Sequence, residues 1–78
     1  MANLEEILES FKEDFDAKPW QISVLSDAIT YDYLKEDEIE RAEETIVEFD
    51  TIEELINSTE NSKVSYQLRE IASLNDSL

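Results

Sequence analysis

The 78-residue chain carries 21 Asp and Glu against six Lys and Arg, a net charge of −15, with no His, Cys or Gly. At this length it is one domain; lacking Cys and His it has neither a disulfide staple nor the usual zinc ligands, and lacking Gly it has no phosphate-cradling loop or dinucleotide fingerprint. Apolar residues make up 41%, enough for a small core that repulsion among carboxylates opposes.

The first predicted element is a helix. Asn3 can cap it, Glu6 falls at the capping-box position, and Leu4, Leu8, Phe11 and Phe15 recur at helical spacing with Ile7 beside them. Glu5, Glu6, Glu9, Glu13 and Asp14 take the opposite face, and Lys18-Pro19 ends the element. Residues 20–34 fit two patterns. Ile22 and Val24, then Ile29, Tyr31 and Tyr33, alternate as two short strands turning at Ser26-Asp27, whereas Trp20, Val24, Ala28 and Tyr31 fit a helix. The weight of β-branched and aromatic residues favours strands.

Residues 35–44 are mostly charged, an acidic loop or helical turn with Ile39 and Ala42 as its apolar members. Residues 44–49 alternate as a further strand, with Thr45, Val47 and Phe49 on one side. Asp50 with Glu53 signals a helix start ahead of Ile52, Leu55 and Ile56. A last helix over 62–74 carries Val64, Leu68, Ile71 and Leu74 on one stripe. The expected fold is α+β: an N-terminal helix, two to three short antiparallel strands and two C-terminal helices, with a small all-α bundle as the alternative.

Charge divides this single domain, 1–78, unevenly. Residues 1–60 hold 19 acids against four bases, whereas 61–78 balance Lys63 and Arg69 against Glu70 and Asp76. The first stretch is expected to display charge and the neutral tail to pack, with a possible dimer contact there. Self-association is the stabiliser left to so small a core, so a homodimer is expected. Aromatic content and apolar periodicity argue against disorder despite the charge. The N-terminus has no basic and apolar leader, and no apolar run reaches the ~20 residues of a membrane span. A cytoplasmic protein without membrane contact is expected.

No enzyme is expected, and no cofactor or metal. His- and Cys-dependent nucleophiles are absent, an EF-hand lacks its glycine and ligand pattern, and so short a chain hardly forms the dry cleft that separates two carboxyl pKa values. The carboxylate rows are the stronger signal. Glu5, Glu9 and Glu13, four residues apart, stand about 6 Å from one another along a helix, of the order of phosphate spacing on a nucleic acid strand. Ordinary solvated faces mix signs and gain from Glu-to-Lys pairs; here Lys12 is alone among six acids up to Asp16. A second cluster follows in Glu36, Asp37, Glu38, Glu40, Glu43 and Glu44, interrupted by Arg41. The candidate partner-binding residues are these two clusters, Glu5, Glu6, Glu9, Glu13 and Asp14 with Glu36 to Glu44, together with Asp32 and Tyr33 as an exposed contact. Trp20 is expected in the core.

A domain of this length is about 30 Å across, over which a DNA duplex carries about 18 charges. On the rows Glu5/Glu6/Glu9/Glu13/Asp14 and Glu36/Asp37/Glu38/Glu40/Glu43/Glu44 the chain resembles the small acidic DNA-mimic proteins that phages direct at host nucleic-acid-binding proteins. That resemblance implies a basic DNA-binding partner, the histone-like protein HU favoured over RNA polymerase or a defence nuclease, no direct nucleic-acid binding, and a host bacterial cytoplasm as the place of action. The stretch Ser26-Asp27-Ala28-Ile29-Thr30-Tyr31-Asp32-Tyr33 is similar to the Ser-Asp…Ile-Tyr-Tyr segment of colicin-nuclease immunity proteins, which are four-helix bundles. This alternative implies neutralisation of a cationic nuclease toxin. A third class, an adaptor binding through its C-terminal helix, would place Val64, Leu68 and Ile71 at the interface.

Overall fold

Local capping starts most of the helices. In a computed structural model of the chain, which describes residues 3–77, Asn3 accepts a hydrogen bond from the Glu6 amide at 2.9 Å and opens α1, Leu4–Phe15. Pro19 stands at the first position of α2, Pro19–Thr30, where its fixed φ suits the helix and its missing N–H is not needed. A short 3₁₀ turn, Glu36–Glu38, leads into α3, Ile39–Ile46. Thr51 caps α4, Ile52–Ile56, and Ser62 caps α5, Lys63–Asp76, each through its hydroxyl oxygen.

The fold is therefore all-α, five helices with no strand among the described residues, and the α+β expectation is overturned. Residues 20–30 of that segment lie in α2, and 31–34 in the turn after it, because Gln21, Val24, Leu25 and Ala28 lie on one helical stripe and are all buried. Burying a Val or Leu side chain is worth about 1.5–3 kcal/mol, whereas strand and helix preferences differ by under about 1 kcal/mol per residue. Ser26-Asp27, expected as a turn, lies in mid-helix. The strand expected at 44–49 fails for the same reason. Ala42 and Ile46, four apart, are both fully buried, and the chain leaves the helix only after Ile46. The fourth helix begins one residue later than the Asp50–Glu53 signature suggests: Thr51 is the cap, and Glu54 reaches back to the Asp50 amide at 3.4 Å.

α2 and α5 form the centre. α2 packs on α5, α1 and α3, and α5 also packs on α3 and α4. One core joins Phe11, Val24, Leu25, Ala28, Leu34 and Ala42 to Ile46, Leu55, Val64, Leu68, Ile71 and Ala72. The apolar stripe of the C-terminal helix is thus consumed within the chain, and Leu74 alone of its expected members is exposed. Trp20 is half-buried at the edge of this core and donates from Nε1 to the Asp50 carbonyl at 3.2 Å. The molecule measures 31 × 23 × 22 Å. Among the described residues no helix is long and apolar enough to cross a membrane.

One polar side chain organises the middle of the chain. Gln21, 3% exposed, accepts from the Lys18 amide at 2.7 Å and so closes its own helix N-terminus. Its Nε2 donates to the carbonyls of Ile46, at 3.3 Å, and Phe49, at 2.9 Å, which closes the end of α3. Both α1 and α2 finish with an aspartate in the left-handed region, Asp16 at φ 52° and Asp32 at φ 61°. After α2 the amides of Tyr33 and Asp32 return to Ala28 and Ile29, the pattern that normally places glycine where Asp32 stands. This chain has no glycine to place there.

Two stability predictions follow from these contacts. Gln21→Ala leaves the Ile46 and Phe49 carbonyls and the Lys18 amide without this partner, so it should cost about 2 kcal/mol and lower the melting temperature by roughly 8–16 °C, read by thermal circular dichroism. Asp16→Gly removes both a left-handed β-carbon and an anion at a helix C-terminus, and should raise stability by about 1 kcal/mol in urea unfolding.

Candidate functional site

Part of each acidic cluster, Glu6 and Asp14 from the first and Glu36, Glu40 and Glu43 from the second, meets around one groove. α1, the end of α2, the 3₁₀ turn and α3 enclose an open groove of about 940 Å³. Its floor is apolar, built by Leu4, Ile7, Phe15, Ile29, Leu34 and Ile39. Its rim carries Glu6 and Asp14 from α1, Asp32 from the turn after α2, and Glu36, Glu40 and Glu43 from the opposite wall. Lys35 is the only cation lining it. Helical geometry explains the α1 side: Glu6, Ser10 and Asp14 are four apart and form one ridge, with the small Ser10 between the two acids.

Other candidates lie elsewhere. Glu5, Glu9 and Glu13 are exposed on α1 but do not line the groove, and the same holds for Asp37 and Glu44. Tyr33 is half-buried and packs against the core, while Tyr31, 66% exposed, is the tyrosine open to solvent. Glu38 is engaged internally: it accepts from the Lys35 amide at 2.8 Å and faces the Lys63 ammonium at 3.6 Å. Among the described residues the other ion pair is Lys18–Asp50 at 3.6 Å, so of the candidate acids Glu38 alone has a cationic partner. Arg69, on the neutral tail, donates to the Glu60 carbonyl at 2.8 Å and lies 4.7 Å over the Tyr66 ring.

The electrostatics differ at the two ends of the second cluster. The Lys35 amide, with help from Lys63, holds the Glu38 carboxyl below its ordinary value of 4.5. Burial, reinforced by Glu40, Asp14 and Glu44, pushes Glu43 above it. Repulsion between Asp14 on α1 and Glu43 on α3 ties the two acidic walls energetically as well as spatially. Among the described residues no three carboxylates converge closely enough to hold a metal ion.

What sequence reasoning missed is the apolar floor. Leu4, Ile7 and Phe15 read as a core stripe, yet of the α1 stripe Phe11 alone is fully buried. Ile39, isolated in a run of charge, was the available signal that the charged segment had an inner face. A smaller cleft of about 490 Å³ between α1 and α2, lined by Leu8, Lys12, Pro19 and Ile22 among others, lies apart from the acidic rim. No protein-family model matches the chain, and no curated protein or solved structure matches it significantly.

Glu43 supplies a pH test. A carboxyl whose pKa is raised on folding opposes the fold when ionised. That penalty is complete above the raised value and disappears as pH falls to the unfolded value of 4.5. Glu43→Gln should therefore raise the melting temperature at pH 7 and change it little near pH ~4. Glu38 behaves oppositely: its contribution is complete above 4.5 and is lost as pH falls through its lowered folded value. Glu38→Gln should accordingly destabilise at pH 7 and be nearly neutral in strong acid.

Proposed function

We propose that this chain is an acidic inhibitor that occupies the DNA-binding surface of a basic protein and blocks its access to DNA. As the likeness to phage DNA mimics implies, an HU-like nucleoid protein is the favoured target, ahead of RNA polymerase or a defence nuclease, and the site of action is the bacterial cytoplasm. The observation that carries the reading is the uncompensated acid on α1 and α3. Glu5, Glu9 and Glu13 stay exposed on one helix, Glu40, Glu43 and Glu44 lie on the other, and among the described residues none of them has an ion-pair partner.

The mechanism is competition. Lys and Arg that would neutralise backbone phosphates meet carboxylates instead. A net charge of −15 on a body 31 Å long approaches the roughly 18 charges of duplex DNA over that distance. Opposite fields steer the encounter, so association is fast and depends steeply on salt. The expected homodimer stays part of the proposal, with exposed Tyr66 and Leu74 of α5 as the apolar surface open to it.

A second reading is favoured by one observation, the all-helical architecture. Colicin-nuclease immunity proteins are helical bundles, and the segment 26–33 behind that likeness lies on the second half of α2 and the turn that follows. Under this reading the target is a nuclease whose cutting the chain suppresses. The adaptor reading loses its interface, since Val64, Leu68 and Ile71 are buried in the chain's own core.

The test is co-purification from bacterial lysate at about 50 mM salt, followed by challenge with duplex DNA or about 200 mM salt. Under mimicry, either challenge releases a basic DNA-binding protein, and the double reversal Glu9→Lys/Glu13→Lys weakens capture roughly tenfold or more. Retention at any ionic strength, or a partner without a basic groove, counts against it. A captured protein that degrades DNA until the chain is added favours the immunity reading.

A further inference from the structure

α1 carries more apolar surface than the chain itself covers. Leu4 and Ile7 are only half-buried and Phe15 is exposed, and Leu4, Phe15 and Ile39 stand outside the core cluster. These side chains floor the groove that Glu6, Asp14, Asp32, Glu36, Glu40 and Glu43 surround. An apolar centre with a polar rim is the composition that interaction sites share.

We propose that this groove docks a basic amphipathic α-helix of the partner protein, apolar side chains to the floor and Lys or Arg to the rim. The proposal rests on reading the acidic face as a surface for a cationic partner, and it adds the shape of the element that enters.

Three observations select that occupant. The walls are helices whose backbone groups are bonded internally, so an extended peptide would find no strand edge to pair with. A helix brings its own backbone hydrogen bonds and needs only side-chain contacts. The rim has six carboxylates to one lysine, which selects positive charge and opposes the anionic headgroups of a membrane. A second copy of this chain is the wrong sign, with a net charge of −15 and six basic residues in all. The twelve residues of α1 span about 18 Å, so a docked helix would engage over roughly three turns. Anchors at positions i, i+3 or i+4, and i+7 fit that length. Ser10, the small residue between Glu6 and Asp14, leaves the opening for the deepest of them.

The experiment compares two synthetic peptides of about eighteen residues with the same Leu and Lys content, one with Leu on a helical stripe and one scrambled. The full chain is labelled at its Ile δ1 methyls. The striped peptide should bind at least tenfold more tightly, become helical, and shift Ile7, Ile29 and Ile39 while leaving Ile22, Ile52 and Ile56 in place. Ser10→Trp fills the groove without altering charge at an exposed site, and should reduce the striped peptide to the level of the scrambled one. Because the methyl map uses the unaltered chain, the proposal does not hang on how that variant folds. Equal binding of both peptides, or shifts spread away from the three groove isoleucines, overturns groove docking but leaves the acidic-inhibitor reading standing. If neither peptide binds in dilute buffer, both readings fall.

Discussion

The Gln21 side-chain amide is the constraint on which the arrangement of this chain depends. Its oxygen accepts from Lys18 and its nitrogen donates to Ile46 and Phe49, so one buried group closes the start of α2 and, 25 and 28 residues downstream, the end of α3. An amide nitrogen has two protons to give, and both are used. Helix ends leave four carbonyls without partners, and a buried end needs such a donor. Trp20 and Lys18 reinforce the join, the indole to the Asp50 carbonyl and the ammonium to its carboxylate. This anchor holds α3 against α2, and α1 also packs on α2. The opposition of Asp14 to Glu43, and hence the groove, follows from it.

Much of the helical framework was legible, because caps are local. Asn3 and Ser62 are short-range signals that the structure uses as caps, whereas Lys18-Pro19, expected to end α1, opens α2 after α1 has closed at Asp16. Residues 20–34 were not legible as a helix. Their β-branched and aromatic content points one way and their burial stripe the other, and only the packing of α2 on α5 decides between them. Gln21 itself carries no sequence signal, since its worth lies in carbonyls 25 and 28 residues downstream. For the site, the acids could be named from composition, but their grouping could not. Glu5, Glu9 and Glu13 form the evident row, yet Glu6 and Asp14 face the second cluster, because that depends on how α1 rolls against α2. The apolar floor escaped since a stripe of Leu, Ile and Phe reads the same whether the chain or a partner covers it.

Stability and charge oppose one another throughout this molecule. Asp occupies both left-handed helix ends, at Asp16 and Asp32, where a residue without a β-carbon would sit with less strain. Glu43 is partly buried among Glu40, Asp14 and Glu44. Against these stand a small core containing three alanines and a handful of internal polar ties, among them Asn75 to Asp27 and Ser23 at the far end of α5. Three of the six cations make contacts at turns and helix ends, Lys63 to Glu38, Lys18 to Asp50 and Arg69 to the Glu60 carbonyl, while Lys35 lines the groove.

The outer face of α1, with Lys12 as its one lysine, is neutralised mainly by mobile cations. In solution the helix gathers a diffuse sheath of small cations. Any macromolecule that replaces this sheath sets those ions loose, and their dilution into bulk solvent becomes a driving force owing little to bond enthalpy. Under the acidic-inhibitor reading, engagement along Glu5, Glu9 and Glu13 would accordingly be entropic in character, whatever the chemistry of the groove beside it.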